Sequence, residues 1–345
     1  MTDNTDVAES PQVNRADPPR SPAAAVDVSV LIPVLNGMPY FREQLAALTR
    51  QTYRGRWEVI VSDNGSTDGS IEAARAIAGR VRLTVADASQ SPGRAGALSA
   101  AAEVSTGRFL LFCDADDIVA DDWVERMAAG LERFPSVAGY ADEVSLNRED
   151  VRQWRQSATP GGLTRPFGWL PSPLGANCGL RREVWDEVGG FDPAIRTGEE
   201  HDLFWRVQLA GHELAYLPDA VVAYRHRPDL RSMMRQWRAY GVDDPCVVGR
   251  YRSLGLLPAG SWRNAFGALG WLCLHAVNVF RGPDLRGSYL RTLAILAGQV
   301  EGSVKNRVLH VTLRPLISPD RDLQEVIAEA RGKAALMRSV TPGGR

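Results

Sequence analysis

The sequence lacks three features that would assign it at once to a common functional class. Its first residues contain no apolar run, so we predict no secretory signal. Its four cysteines form no CxxC pair, which argues against structural zinc or a disulfide framework. Acidic and basic residues nearly balance at a net charge of −1, which argues against a bulk field for nucleic acid. We therefore expect a cytoplasmic protein with reduced thiols and no nucleic-acid partner.

What the chain does contain is typical of a globular protein. It has 345 residues, of which 44% are hydrophobic and 23% charged, enough for one large or two modest domains. Residues 1–26 are rich in Pro, Asp and Ser and are predicted to be a disordered tail. Ordered sequence is expected from Asp27 onward.

Short apolar runs alternate with helical segments from Asp27 to about Phe134. The alternation predicts an α/β domain with a mostly parallel, Rossmann-like sheet flanked by helices. The strands are expected at Val28–Ile32, Trp57–Val61, Val81–Val85 and Phe109–Cys113. Ligands of such sheets bind beyond the carboxyl ends of the strands.

Three polar segments follow three of these predicted strands. They are Pro33–Asn36, Ser62–Ser66 and Asp114–Asp117. Because the carboxyl ends of parallel strands share one edge, we expect the three segments to converge on a single crevice.

The segment Asp114–Asp117 is a candidate metal site. Asp114 and Asp116 point the same way if the extended backbone continues, and two adjacent carboxylates suit Mg²⁺ or Mn²⁺ bridging to a phosphate. The alternative is a solvated acidic turn that caps the next helix. In the other segments, a carboxylate at Asp63 can accept hydrogen bonds from a base or ribose, and a glutamate within Thr197–Leu203 can act as a general base.

Beyond residue 134 the pattern is less regular. Residues 135–230 are expected to complete the domain as an acceptor-binding half, with a Pro- and Gly-rich binding loop over residues 157–176. Residues 231–345 are predicted to form a helical C-terminal region. Its most apolar stretch, residues 264–280, is flanked by Arg263 and Arg281. We favour a helix packed on protein or lying at a membrane interface over a spanning helix.

Read together, five short segments resemble the family 2 glycosyltransferases, which have a GT-A fold. The segments are Val28–Asn36, Asp63–Asp68, Asp114–Asp117, Val188–Asp192 and Gly198–Leu203. The resemblance covers roughly residues 27–230, with residues 27–134 as the nucleotide-binding half. Their order and spacing together are more specific than any one of them.

The resemblance implies inverting transfer of one sugar from a nucleotide-diphosphate donor, with UDP-sugars favoured, to an acceptor hydroxyl in glycan or glycoconjugate biosynthesis. The acceptor can be a glycan, a lipid-linked molecule or a small molecule. The resemblance also assigns roles to residues of this sequence. Nucleotide contacts fall to Pro33, Asn36, Asp63, Arg94 and Asp114, the metal to Asp114 and Asp116, the catalytic base to Glu200, and acceptor contacts to Glu199.

Two positions depart from the family pattern. The acidic pair is Glu199-Glu200 where the family more often has Glu-Asp, so the base carries one extra methylene. Leu98-Ser99 stands where many members have Arg-Asn, and Arg94 is either a substitute for that arginine or an ordinary surface cation. The QxxRW motif of processive members is missing, which favours single-sugar transfer.

Further candidates lie outside these motifs. His226 is either a third metal ligand or a structural histidine. Trp169 is expected to stack on an acceptor sugar, and Asn177 to contact the acceptor. Arg235 and Arg238 share a helical face and are expected to clamp diphosphate or meet anionic lipid headgroups at the inner face of the membrane, unless they form a solvated basic face.

Three other functions are compatible with parts of this pattern. A nucleotidyltransferase needs a Gly-rich, basic phosphate loop after the first strand, where this chain has Pro33–Gly37 instead. A binding or scaffold protein that retains the fold is compatible with the altered Glu-Glu and Leu-Ser positions. An NAD-type oxidoreductase is disfavoured because no GxGxxG follows the first strand.

Overall fold

A computed structural model of the chain describes residues 26–154, 162–254, 262–313 and 323–340. The predicted tail lies outside these ranges except for Val26, which is buried at 5% exposure. Part of the predicted loop over residues 157–176 also lies outside them.

The described residues form eight strands and eleven α-helices. The strands are β1 Val28–Val34, β2 Trp57–Asp63, β3 Leu83–Asp87, β4 Phe109–Phe112, β5 Ile118–Val119, β6 Ser136–Asp142, β7 Cys178–Arg181 and β8 Leu214–Ala223. The helices are α1 Phe41–Leu48, α2 Ser70–Arg75, α3 Arg94–Val104, α4 Trp123–Arg133, α5 Glu149–Trp154, α6 Arg182–Val188, α7 Glu199–Leu209, α8 Leu230–Tyr251, α9 Trp262–His275, α10 Pro283–Asn306 and α11 Leu323–Val340. Short 3₁₀ helices span Pro166–Gly168, Arg252–Leu254 and Ala276–Phe280.

The eight strands form one sheet in the order β3-β2-β1-β4-β7-β6-β8-β5. Strands β3, β2, β1 and β4 are parallel, and so are β6 and β8. Strand β7 is antiparallel to both of its neighbours, and β5 is antiparallel to β8. The predicted mostly parallel sheet is therefore confirmed, with one antiparallel strand inserted at its centre.

Both faces of the sheet are covered by helices. One core cluster joins alternate residues of β1, β2 and β4 to α1 and α4, and a second joins the opposite residues to α3, α6 and α7. The central strand residues are fully buried, as a parallel sheet with helices on both faces requires. This packing fixes the strand ends from which the candidate site is built.

Beyond β8, the described residues form the long helices α8 to α11. Helix α8 has 22 residues and α10 has 24. Helices α8 and α10 lie so close that a Cβ at Gly241 or Gly298 would meet backbone atoms of the other helix. Within the described ranges, no helix is both long enough and apolar enough to cross a membrane.

Candidate active site

The centre of the site is the turn that follows β4. Ligand oxygens of Asp114, Asp116 and Asp117 lie within 4.8 Å of one another, an arrangement that could hold a metal ion. Gln44 on α1 is buried and holds this turn in place through two hydrogen bonds. Its Nε2 donates to the Asp114 carbonyl at 3.1 Å, and its Oε1 accepts from the Val119 amide at 3.1 Å.

Asp117 is the member of the cluster that the sequence did not single out as a ligand. It is fully buried, and its Oδ1 accepts from the Arg225 amide at 2.8 Å. Its Oδ2 is buried and finds no hydrogen-bond partner in the part of the chain that the structure describes. Burial and the charge of Asp116 raise the pKa of Asp117 well above its ordinary value. A buried acid with a spare oxygen beside two further carboxylates suits a hard divalent cation.

Arginines that follow β8 partly neutralise the cluster. Arg227 Nη1 lies 3.1 Å from Asp116 Oδ2. Arg225 Nε donates to the Asp116 carbonyl at 2.9 Å, and its Nη2 lies 2.8 Å from Glu43 Oε2. Burial and the charge of Asp114 nevertheless raise the pKa of Asp116. The three carboxylates repel one another when all are ionised, and a bound cation would relieve this repulsion.

Arg94, the first residue of α3, joins the acidic turn to α7. Its Nε lies 2.9 Å from Asp114 Oδ1, its Nη1 3.0 Å from Glu199 Oε1, and its Nη2 donates to the Gly175 carbonyl at 2.6 Å. Although burial opposes its charge, Asp114 and Glu199 raise the pKa of Arg94 well above the ordinary value. Its predicted nucleotide contact stays a prediction, because all three nitrogens are engaged within the protein.

The acidic pair lies at the start of α7, after Gly198, whose φ of +74° favours glycine. Glu199 is 3% exposed and paired with Arg94, and burial together with the charge of Glu200 raises its pKa to about 7. Burial also raises the pKa of Glu200. The side chain of Glu200 is 17% exposed and lines two cavities, which leaves it the better placed of the two to meet a ligand.

Three adjoining cavities surround these groups. The strand-end cavity, about 450 Å³, is lined by Pro33, Asn36, Tyr40, Asn64, Asp114 and Asp116. The acidic cavity, about 250 Å³, is lined by Asp114, Asp116, Glu199, Glu200, Arg227 and Gln236. The aromatic cavity, about 250 Å³, is lined by Phe167, Glu200, His201, Tyr224, Trp237 and Tyr240. Shared residues connect them into one trough, with Asp114 and Asp116 at the first junction and Glu200 at the second.

On the strand-end side, the predicted residues lie close together. Pro33 and Asn36 line the cavity. Asn36 Oδ1 accepts from the Thr67 amide at 2.9 Å, and Asp63 Oδ1 accepts from the Ser66 amide at 2.8 Å. Asp63 is not part of the cavity lining, so its carboxylate organises the turn after β2 in this structure. Its predicted nucleoside contact stays a prediction.

The structure corrects two expectations on the other side. Trp169 is 1% exposed and packs at 4.9 Å and 5.3 Å between ring centroids against Trp205 and Tyr251, so its ring belongs to the core and cannot stack on a sugar there. Asn177 is fully buried. Its side chain bonds to Trp123 Nε1 and to two carbonyls, a structural role that leaves it out of reach of an acceptor.

His226 lies beside the cluster in sequence but is not part of it. It is 5% exposed, its ring contacts Tyr224 at 5.4 Å, and its Nε2 lies 4.0 Å from Glu143 Oε2. The ligand group found among the described residues comprises Asp114, Asp116 and Asp117, without His226. The structural alternative for His226 therefore fits this arrangement, and Asp117 takes the third position.

Arg235 and Arg238 are correctly predicted to lie on a helix, but their face is turned away from the trough. Both are exposed, and Arg238 pairs with Glu301 on α10. The residues of α8 that line the acidic cavity are Gln236 and Tyr240. The expected diphosphate clamp by Arg235 and Arg238 is therefore not formed. Arg227, which precedes α8, pairs with Asp116 instead.

Comparison with known proteins supports the resemblance seen in the sequence. Residues 29–189 match the model of glycosyl transferase family 2, so the resemblance to this family is confirmed over that segment. The match includes the strand ends, the acidic turn and α6, and it stops short of α7 and the C-terminal helices.

Relatives of the chain include glycosyltransferases from archaea and bacteria. It is 28% identical over 219 residues to the glycosyltransferase AglE of Haloferax volcanii, covering 61% of this chain and 71% of that protein. It is 31% identical over 235 residues to the pre-mycofactocin glycosyltransferase of Mycobacterium tuberculosis, covering 65% of this chain and 48% of that protein. The chain thus spans about half the length of the mycobacterial relative.

Solved structures of similar fold are GT-A glycosyltransferases, which confirms the predicted fold class. The mannosyltransferase PcManGT of Pyrobaculum calidifontis, in complex with GDP-Man and Mn²⁺, aligns with a TM-score of 0.58 at 22% identity, covering 81% of this chain and 88% of that one. S. aureus TarS 1-349 in complex with UDP aligns with a TM-score of 0.51 at 17% identity, covering 92% of both chains.

Proposed function

We propose that this glycosyltransferase moves a single sugar from a nucleotide-diphosphate donor to an acceptor hydroxyl, with inversion and with the help of Mg²⁺ or Mn²⁺. The observation that carries the proposal is the position of Glu200. Its carboxylate borders both the acidic cavity, which suits a diphosphate and metal, and the aromatic cavity, which suits an acceptor. A base must lie where donor and acceptor meet, and Glu200 meets that requirement.

The acidic turn fits a divalent cation. Asp114, Asp116 and Asp117 offer three clustered carboxylates, one of them with a buried oxygen that has no hydrogen-bond partner among the described residues. A metal bound there would neutralise the departing diphosphate as a Lewis acid. Arg227, beside Asp116, would bind the same diphosphate oxygens.

The remaining residues bind and orient the substrates. The strand-end cavity, with Pro33 and Asn36, would hold the nucleoside, with Asp63 close behind. The aromatic cavity would hold the acceptor against the rings of Trp237 and Tyr240. UDP-sugars are the favoured donors, and the solved structures of similar fold were obtained with GDP-Man or UDP. A cytoplasmic location and an acceptor that is a glycan, a lipid-linked molecule or a small molecule are part of the proposal.

In the reaction itself, Glu200 would take the proton of the acceptor hydroxyl as its oxygen attacks the anomeric carbon. The bond from that carbon to the diphosphate breaks, and the nucleoside diphosphate leaves. Arg94 would hold Glu199 beside the base, so Glu199 acts as a positioning residue. A single displacement needs no carboxylate nucleophile and inverts the configuration of the sugar.

The test is a panel of UDP-, GDP- and dTDP-sugars with Mn²⁺, Mg²⁺ or a chelator, read out as thermal shift and as released products. We expect one nucleotide class to raise the melting temperature only with metal and to release a nucleoside diphosphate. Asp116→Asn should lose both effects. The matched control is Asp122→Asn. Asp122 lies at the start of α4, pairs with Arg126 and lines none of the three cavities, so this variant should lose neither effect. Release of pyrophosphate, or binding independent of metal and of Asp116, would contradict the proposal.

A further inference from the structure

Helix α9 and the 3₁₀ helix after it present large apolar side chains to solvent. We call these residues the α9 face: Trp262, Phe266, Leu269, Leu274, Val277 and Phe280. Their exposure is high: Trp262 is 69% exposed, Phe266 68% and Phe280 89%. Exposed apolar side chains scattered singly are normal on protein surfaces, but a contiguous set marks an interaction surface.

The orientation of the α9 face is fixed by contacts on the opposite side. Ala268 is 2% exposed and Asn278 8% exposed. The Trp271 ring stacks on Tyr289 of α10 at 6.1 Å between centroids, and the Tyr289 hydroxyl donates to the Leu272 carbonyl at 3.3 Å. The helix is therefore held on α10 by one side while the other side faces outward.

The apolar residues also have helical spacing. Trp262, Phe266 and Leu269 lie four and three residues apart, so they share one side of α9. By contrast, exposed apolar residues of the sheet domain, such as Val104 and Val144, stand alone among polar neighbours. The first three side chains thus form one apolar stripe along α9. Further exposed apolar side chains follow toward the end of the segment, at Leu274, Val277 and Phe280.

Its charges indicate which partner it fits. Three arginines, Arg263, Arg281 and Arg286, are exposed along the segment, against one acid, Asp284, in residues 262–286. This local positive excess contrasts with the net charge of −1 for the whole chain. Arginines at the edge of an apolar surface can keep their guanidinium groups among phosphates while their stems cover apolar groups.

We propose that the α9 face docks the protein on a phospholipid bilayer that contains anionic lipids. The aromatic and aliphatic side chains enter the boundary between headgroups and acyl chains, and the arginines meet the lipid phosphates. The helix lies in the plane of the surface, because its inner side stays packed on α10. This docking does not depend on the transfer reaction and can be tested without a sugar donor.

The experiment measures co-sedimentation of the full chain with vesicles of phosphatidylcholine, with and without about one third phosphatidylglycerol. We expect binding to the anionic vesicles and its loss at high salt. The variant Phe266→Glu/Phe280→Glu should reduce the partition coefficient by about tenfold for each residue. The variant Arg263→Gln/Arg281→Gln/Arg286→Gln should reduce binding to anionic vesicles by about a hundredfold and leave binding to neutral vesicles unchanged.

The matched control is Val104→Glu/Val304→Glu, which places the same charges at two exposed valines outside the α9 face. It should bind as the wild type does. Thermal melting checks that each variant is folded. If Phe266→Glu/Phe280→Glu does not fold, Leu274→Glu takes its place, because the Leu274 side chain is 80% exposed. Equal sedimentation of wild type and α9-face variants would overturn the proposal. A second outcome would also overturn it: the wild type binds no vesicles, and light scattering shows a dimer that Phe266→Glu/Phe280→Glu disrupts. The α9 face would then join two copies of the chain.

Discussion

The two sides of the trough are built in different ways. On the strand-end side, the lining comes from turns that directly follow β1, β2 and β4, three parallel strands of one sheet. On the aromatic side, it comes from the start of α7, the end of β8 and one face of α8, which are brought together by tertiary packing. The residues of the first side can therefore be recognised in the sequence as motifs. The residues of the second side depend on which side of each helix faces the trough and on which side chains are buried.

The junction of the two sides gives the largest expected effect. Glu200→Gln keeps the shape of the side chain but removes the base, so we expect kcat to fall by about 10³-fold. Metal-dependent binding of the nucleotide sugar should persist, because the acidic turn is untouched. Turnover with the acceptor, compared with thermal shift by the donor, separates the two effects.

A matched control removes a carboxylate that does not line the trough. Glu187→Gln removes an exposed carboxylate of α6 whose Oε2 lies 2.7 Å from His212 Nε2. It should retain most of kcat. If Glu200→Gln transferred sugar at the wild-type rate, the base would have to be sought elsewhere in the trough.

The strand-end side shows how far sequence reasoning reaches. The end of a buried parallel strand fixes the position of the next few residues, so Pro33, Asn36, Asp114 and Asp116 could be placed at one crevice from the sequence. Asp117 was missed as a ligand because nothing in the sequence shows that it is buried, whereas the Asp116 side chain next to it is partly exposed. The buried backbone amide of Arg225, which holds it, is distant in the chain.

The aromatic side shows where sequence reasoning stops. A tryptophan in a Pro- and Gly-rich segment looks available for a sugar, but the rings that bury Trp169 belong to α7 and α8. Strand β7 was not predicted either, since its four residues leave too little pattern to recognise. Only the packing of distant elements determines which polar and aromatic groups reach the trough.

A smaller effect, on the pH dependence of activity, is expected from replacing Glu199, the neighbour of the base Glu200. Burial raises the pKa of Glu200 above the ordinary value of 4.5, so the loss of activity on acidification should begin at a higher pH than for an exposed glutamate. The sign follows from the role: protonation removes the base, so kcat/KM falls as pH falls. In Glu199→Gln, one of two adjacent carboxylates is gone and Arg94, which lowers the pKa of Glu200, is retained. Without the Glu199 carboxylate, the charge of Arg94 acts on Glu200 with less competition, so the acidic limb should move to lower pH.

The pH profile of kcat/KM for wild type and Glu199→Gln measures this shift. Glu183→Gln, in α6 and with a side chain that is 74% exposed, is a matched control that should leave the limb in place. An acidic limb that stays fixed in Glu199→Gln would mean that the two carboxylates do not titrate together.

The smallest effects are expected from substitutions on the two faces of α8. They test which face of the helix borders the trough. Tyr240 borders both the acidic and the aromatic cavities, so Tyr240→Ala should raise the acceptor KM by about threefold to tenfold through lost ring contact. Arg238→Ala removes only a solvent-exposed ion pair with Glu301, worth about 0.2–1 kcal/mol, and should change neither kcat nor KM by more than about twofold. The two positions are neighbours on one helix, so a change in helix stability would affect both variants alike. Steady-state kinetics, measured together with thermal melting, separates the two outcomes. A larger kinetic loss in Arg238→Ala than in Tyr240→Ala would show that the basic face of α8 binds the diphosphate, as the sequence alone had suggested.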